Sequence, residues 1–130
     1  MKEPIEVMVL DDEPIVGERL KDFLEKNGMN VETFTESPAA LNRLGEKTFD
    51  VVISDVKMKG PTGIDVLVHI KREKLPCKVI LITGYASFED AVGAEMAGVV
   101  EYVTKPFQMS KMLKLVKKAA KRAKRSRKAI

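Results

Sequence analysis

The chain alternates, without exception, between short apolar runs and longer segments with helical spacing. The runs fall at residues 5–10, 31–35, 50–54, 78–83 and 99–104. The segments between them predict helices over 13–27, 37–47, 63–74 and 87–98, with a fifth beginning near Gln108. This order leaves little freedom. Each strand–helix–strand unit returns by a right-handed crossover, so the strands lie parallel and helices cover both faces of one sheet. Met8-Val9-Leu10, Val51-Val52-Ile53 and Val79-Ile80-Leu81-Ile82 are wholly apolar, as strands buried on both faces must be. Residues 31–35 mix polar and apolar side chains, and the last run carries Glu101 and Thr104, which suits sheet edges.

The expected fold is therefore α/β, a doubly wound parallel (βα)5 sheet of the flavodoxin-like kind with strand order 2-1-3-4-5. Pro14 fits a first helical turn, where its missing N–H costs nothing. Val16, Leu20, Phe23 and Leu24 mark one helix face, and Gly28 supplies its stop. Ala40, Leu41 and Leu44 face inward on the second helix, and Ile64, Leu67 and Val68 on the third. Ser87 caps the fourth, with Asp90 in its first turn and Gly93 costing about 1 kcal/mol in its interior. Met109, Met112, Leu113 and Val116, continued by Ala120 and Ala123, mark the fifth.

Length and charge divide the chain into two parts. At 130 residues it suits one domain. Residues 1–105 hold 13 Lys and Arg against 19 Asp and Glu, a net of −6. Residues 106–130 hold 10 Lys and Arg and no acid. The reading is a domain over 1–120 followed by a basic extension or linker over 121–130. Cys77 is the single cysteine, which excludes an internal disulfide, and it reads as a strand-entry residue. No signal peptide is visible and no apolar run can span a bilayer, so the cytoplasm is the expected compartment, with no membrane partner.

The strand ends carry the chemistry. In this topology a ligand sits outside the carboxyl ends of the strands, where strands one and three diverge. Strand one ends in Asp11-Asp12, strand three in Asp55, strand four in Thr83-Gly84 and strand five in Lys105-Pro106. Three crowded carboxylates either raise a pKa or hold a cation. Oxygen ligands beside an open pocket suit Mg2+, and Mn2+ could take the same set. A carboxylate can attack a phosphoryl group, with Mg2+ neutralising the meeting of two anions. A lysine can then pair with a phosphoryl oxygen and a threonine hydroxyl can donate to another.

Four segments carry a resemblance: Val-Leu-Asp-Asp-Glu-Pro (9–14), Ile-Ser-Asp-Val-Lys-Met (53–58), Ile-Thr-Gly-Tyr-Ala-Ser (82–87) and Tyr-Val-Thr-Lys-Pro-Phe (102–107). In this order, each at a strand end, they resemble the receiver domains of two-component response regulators. The wording is most similar to receivers of the nitrogen-regulator kind, which activate sigma-54 transcription. The resemblance implies that Asp55 is the phosphoacceptor for a sensor histidine kinase. Asp12, Asp55 and the backbone carbonyl of Lys57 would hold Mg2+, with Asp11 helping through the metal or its water. Thr83 would bind the phosphoryl group, Lys105 would pair with it, and the Lys105–Pro106 bond would be cis. Tyr102 matches the aromatic that turns inward when Thr83 moves. Lys57 and Tyr85 occupy positions that tune phosphate lifetime. The switched surface would be helix four, strand five and helix five, acting on an output domain or downstream protein in transcriptional signalling, with a homodimer as one outcome. Lys59 departs from the family, which usually has proline there.

Rival readings remain. A phosphatase or dehalogenase with an aspartate nucleophile would want a second acid where Lys57 stands, so a phosphoacceptor is expected and a turnover enzyme is not. A nucleotide or flavin module would want a glycine-rich loop after strand one, where Asp11-Asp12-Glu13-Pro14 stands. A receiver-like interaction module that works without phosphorylation is the alternative, and the complete acidic pocket argues against it. His69 reads as an exposed helix residue, and Met109 and Met112 as core. The basic tail reads first as a solvated extension or linker. Nucleic-acid contact through phosphates comes second and an acidic protein partner third.

Overall fold

The computed structural model describes residues 3–84 and 99–128. Five parallel strands, β1 (Glu6–Leu10), β2 (Asn30–Phe34), β3 (Val51–Asp55), β4 (Lys78–Thr83) and β5 (Val99–Thr104), form one sheet in the order β2-β1-β3-β4-β5. The register sets Val7 beside both Val31 and Val51, and Thr83 beside Thr104. Helices α1 (Pro14–Lys26), α2 (Ser37–Leu44) and α3 (Gly63–Arg72) follow β1, β2 and β3, and a C-terminal helix spans Met109–Lys128.

Alternate strand residues feed two apolar layers. Val7, Val9, Val51, Ile53, Ile80 and Ile82 pack with α1 and the C-terminal helix. Met8, Leu10, Val52, Val79 and Leu81 pack with α2 and α3. Strands covered on both faces explain why these runs contain almost no polar side chain. Among the described residues no helix is long and apolar enough to cross a membrane.

Local chemistry sets the helix ends. Pro14 opens α1, and Gly28 closes it at φ +82°, its N–H donating to the Glu25 carbonyl at 3.0 Å. Thr62 and Asp65 form a capping box at the start of α3. Lys74 takes φ +53° just past α3, which stops that helix at Arg72 and not at Lys74. Helix α2 stops at Leu44, three residues short of the expected 47, because the chain turns at Gly45.

The inner face of α3 also differs from the expectation. Val66, Leu67 and Ile70 are buried, whereas Val68 lies on the flank and His69 is half-buried, not exposed. Leu115 and Ala119 join the expected inner face of the C-terminal helix. The predicted cap at Ser87, with Asp90 and Gly93, lies outside the described residues. Cys77 is buried at the entry to β4.

One glycine ties the fold to the strand ends. Gly63 begins α3 directly against the end of β3, its N–H donating to the Val56 carbonyl at 3.0 Å. A Cβ at this position would fall on the Asp55 carbonyl oxygen and within 3.0 Å of Val56 Cα. Both are backbone atoms and cannot rotate away. Gly63→Ala is expected to cost about 2–3 kcal/mol, the upper range for overpacking. Urea unfolding of the variant checks this, and a midpoint unchanged from the parent would contradict it.

Candidate functional site

The carboxyl ends of the strands deliver the polar residues to one place. Five consecutive residues of β3 are buried, and the last of them, Asp55, keeps 6% exposure at the sheet edge. Asp11 directly follows β1 and is 1% exposed, whereas its neighbours Asp12 and Glu13 are exposed. Asp11 Oδ1 accepts from the Glu13 N–H at 2.9 Å, which fixes the turn from β1 into α1. Asp55 Oδ1 accepts from the Lys57 N–H at 3.3 Å. Lys105 follows β5, and its N–H donates to the Thr83 carbonyl at 2.7 Å, which holds the ends of β4 and β5 together. The Lys105–Pro106 bond is cis.

The Lys105 ammonium is the hub. Its Nζ lies 2.9 Å from Asp11 Oδ2, 3.1 Å from Glu13 Oε1 and 3.2 Å from Asp55 Oδ2. These contacts outweigh the effect of burial, which alone would lower the lysine's pKa, and hold it above its ordinary value. Asp55 behaves in the opposite sense. Burial, then the Asp11 charge, raise its pKa above the usual carboxylate range even though Lys105 pulls it down. The fold thus keeps an acid where its charge is only partly compensated.

The residues present fit a divalent cation. Asp11, Asp12, Glu13 and Asp55 each offer one oxygen, and these oxygens all lie within 4.8 Å of one another. Asp11 Oδ2 is buried, and Lys105 is the one partner described for it, at 2.9 Å. An all-oxygen donor set on the wall of an open groove matches a hard cation that keeps part of its water shell. The groove measures about 680 Å3 and is lined by Asp12, Glu13, Asp55, Lys57, Met58, Lys59, Gly84 and Lys105.

Of the residues singled out in the sequence, Asp11, Asp12, Asp55 and Lys105 come together. Lys57 stands exposed on the rim. Thr83 is buried at the end of β4 and does not line the groove. Tyr102 is half-buried on the side of the sheet covered by α2 and α3, beside Leu81 in register. Tyr85 lies outside the described residues. Glu13 was not expected in the site. Its position next to Pro14 reads as a helix start, and only the turn after β1 aims it at Lys105. A Cβ on Gly84 would meet nothing within 4 Å among the described residues, so the groove stays open there.

Comparison with known proteins gives the same picture. The family model of the response regulator receiver domain matches residues 7–117. The chain is 32% identical over 111 residues to the probable transcriptional regulatory protein TcrX of Mycobacterium tuberculosis, covering 85% of this chain and 47% of that protein. It is 33% identical over 105 residues to the DNA-binding transcriptional regulator NtrC of Escherichia coli, covering 81% of this chain and 22% of that protein. It thus spans about half or less of these curated relatives. A receiver-domain crystal structure from Clostridium thermocellum superimposes with a TM-score of 0.83 at 32% identity, covering 92% of this chain and 97% of that one. The motifs at four strand ends, the strand order and the match over 7–117 make this chain a member of the response regulator receiver domain family.

Proposed function

We propose that Asp55 accepts a phosphoryl group from the phosphohistidine of a sensor histidine kinase. The observation that carries this reading is that one ammonium, Lys105, is shared by Asp55 and Asp11 beside an open groove lined by Asp12, Glu13 and Asp55. In the transfer, Asp55 attacks phosphorus and a P–O bond forms. The P–N bond breaks, and its electron pair leaves with the imidazole nitrogen, which takes a proton. Asp11, Asp12 and Asp55, with the Lys57 carbonyl, would hold Mg2+. Glu13 belongs to the same oxygen set. When bound, the metal supplies the positive charge that lets two anions meet.

The chain's own residues do the rest. Lys105 leaves the carboxylates and pairs with a phosphoryl oxygen. Thr83, two strands from Asp11 in the sheet, offers its hydroxyl to another oxygen. Its movement frees space for Tyr102 to turn further inward. The phosphoryl group adds about −1.5 to −2 charges. It thereby biases a two-state equilibrium whose outer face includes β5 and the C-terminal helix. That face would act on an output domain or a downstream protein in transcriptional control. Lys57 and Lys59 on the rim screen the bound phosphoryl group from water, with Lys57 tuning its lifetime.

Intact-mass spectrometry after incubation with Mg2+ and acetyl phosphate tests the proposal. One added phosphoryl group is expected, absent after chelation and absent in Asp55→Asn. Failure to label with either acetyl phosphate or beryllofluoride, in a folded protein, would favour an interaction module that works without phosphorylation.

A further inference from the structure

The basic residues at the end of the chain form a folded face. The C-terminal helix runs unbroken from Met109 to Lys128, across the boundary expected at residue 120. Met112, Leu115, Val116, Ala119, Ala120 and Ala123 are buried against the sheet, and Lys124 Nζ donates to the Glu3 carbonyl at 3.2 Å. At about 100° per residue, the exposed Lys111, Lys114, Lys117, Lys118, Lys121 and Arg125 fall within one arc of about 120°, opposite the buried side. They cover about 21 Å of helix. Among the described residues none of these six pairs with a carboxylate.

Like charges three and four residues apart repel, so this face opposes its own helix and is held by packing on the other side. A polyanion removes that repulsion. The composition of the face decides which polyanion. Protein interfaces are depleted of lysine and anchored by aromatic side chains, methionine and arginine. Here the arc is five lysines and one arginine, and the only large exposed hydrophobic residue described, Ile15, lies on α1. Interfaces with a phosphate backbone have the opposite composition. Residues 108–130 contain no aromatic on which an unpaired base could stack, which favours a duplex over a single strand. A helix fits the major groove, about 12 Å wide, and 21 Å of it follows about six base pairs. Residues 1–105 carry a net charge of −6, which favours approach by this face.

We propose that the outer face of the C-terminal helix binds the phosphate backbone of duplex nucleic acid without reading its sequence. The experiment is fluorescence anisotropy of the full chain with two labelled 20-base-pair duplexes of unrelated sequence. Binding to both within about threefold is expected at 50 mM salt. About five phosphate contacts give a log–log salt slope near −4.5, a loss of about 10² to 10³-fold between 50 and 200 mM. The triple variant Lys114→Gln, Lys118→Gln, Lys121→Gln keeps good helix formers and lies outside the acidic groove. It is expected to bind at least tenfold more weakly at 50 mM, with a slope shallower by about 2 to 3. No binding at 50 mM, or a slope unchanged in the variant, overturns the proposal. Equal binding to polyglutamate overturns it in favour of an acidic protein partner.

Discussion

Lys105→Met is expected to lose about 3 kcal/mol of stability and to regain most of it when Mg2+ is added. Asp11 and Asp55 are 1% and 6% exposed, and the Lys105 ammonium lies within 3.2 Å of both. Methionine preserves the length and apolar stem of the side chain and removes only the charge. Breaking a buried pair by deleting one partner costs about 3–5 kcal/mol, because the other charge stays behind. The lower end applies, since the lysine side chain keeps 20% exposure and water screens part of the charge. For a domain of this size the melting temperature should fall by about 10 °C. A divalent cation among the same oxygens replaces the missing charge. At 100 times its Kd it contributes about 2.7 kcal/mol. The parent should gain less, because there the cation competes with the ammonium for Asp11 and Asp55. Thermal unfolding of both proteins against Mg2+ concentration measures this directly. Equal Mg2+ increments in the two proteins would show that lysine and metal do not share these carboxylates.

The same sign rules describe alkaline pH. Lys105 has its pKa raised above its ordinary 10.5. Its stabilising effect is therefore fully present below that pH and fades only as pH rises through the higher folded value. Near neutrality the hub is constant, so the Mg2+ comparison is free of lysine titration.

How much of this was legible in sequence depends on what each residue's neighbours are. Val51-Val52-Ile53 and Val79-Ile80-Leu81-Ile82 announce buried strands by themselves, because a strand covered on both faces has no polar alternation. Strand order followed, and with it the meeting of Asp11, Asp55 and Lys105. The inner face of α3 did not, because Val66 and Val68 are equally apolar and only packing against β3 and α2 chooses between them. The end of α2 was misjudged for a similar reason. Glu46 and Lys47 are good helix formers, but Lys47 turns back to pair with Glu6 and Glu32 on the strand edge. Arg43 joins the same cluster and holds the Glu32 carboxyl down at about 2. Glu13 escaped notice because its role depends on the ammonium of Lys105, 92 residues away.

Asp55→Asn is expected to abolish phosphoryl labelling and, at the same time, to make the protein more stable. Asparagine keeps the shape of the side chain and an oxygen that can accept from the Lys57 N–H. It removes a charge that the fold disfavours. The raised pKa of Asp55 already includes the attraction of Lys105, so the net effect of burial and of Asp11 on the ionised form is unfavourable. A carboxyl whose folded pKa lies above its unfolded value binds protons more tightly in the native state, so its ionisation costs stability as pH rises. The gain from Asp55→Asn should therefore be absent near pH 3.8, the ordinary value, grow above it, and become constant once pH exceeds the raised folded value. The height of that plateau measures what ionising this carboxyl costs the fold. The variant should also melt at a higher temperature than the parent at pH 7. Urea unfolding of both proteins from pH 3.5 to 8 gives the curve. A variant less stable than the parent at pH 7, or a gain that grows toward acid, would mean that Lys105 more than compensates the buried charge. The expected curve means instead that Asp55 is held ionised at a cost to the resting fold. On the proposed function, transferring a phosphoryl group to Asp55 would exchange that cost for contacts with Lys105 and Thr83, and the difference would be free energy available to drive the switch.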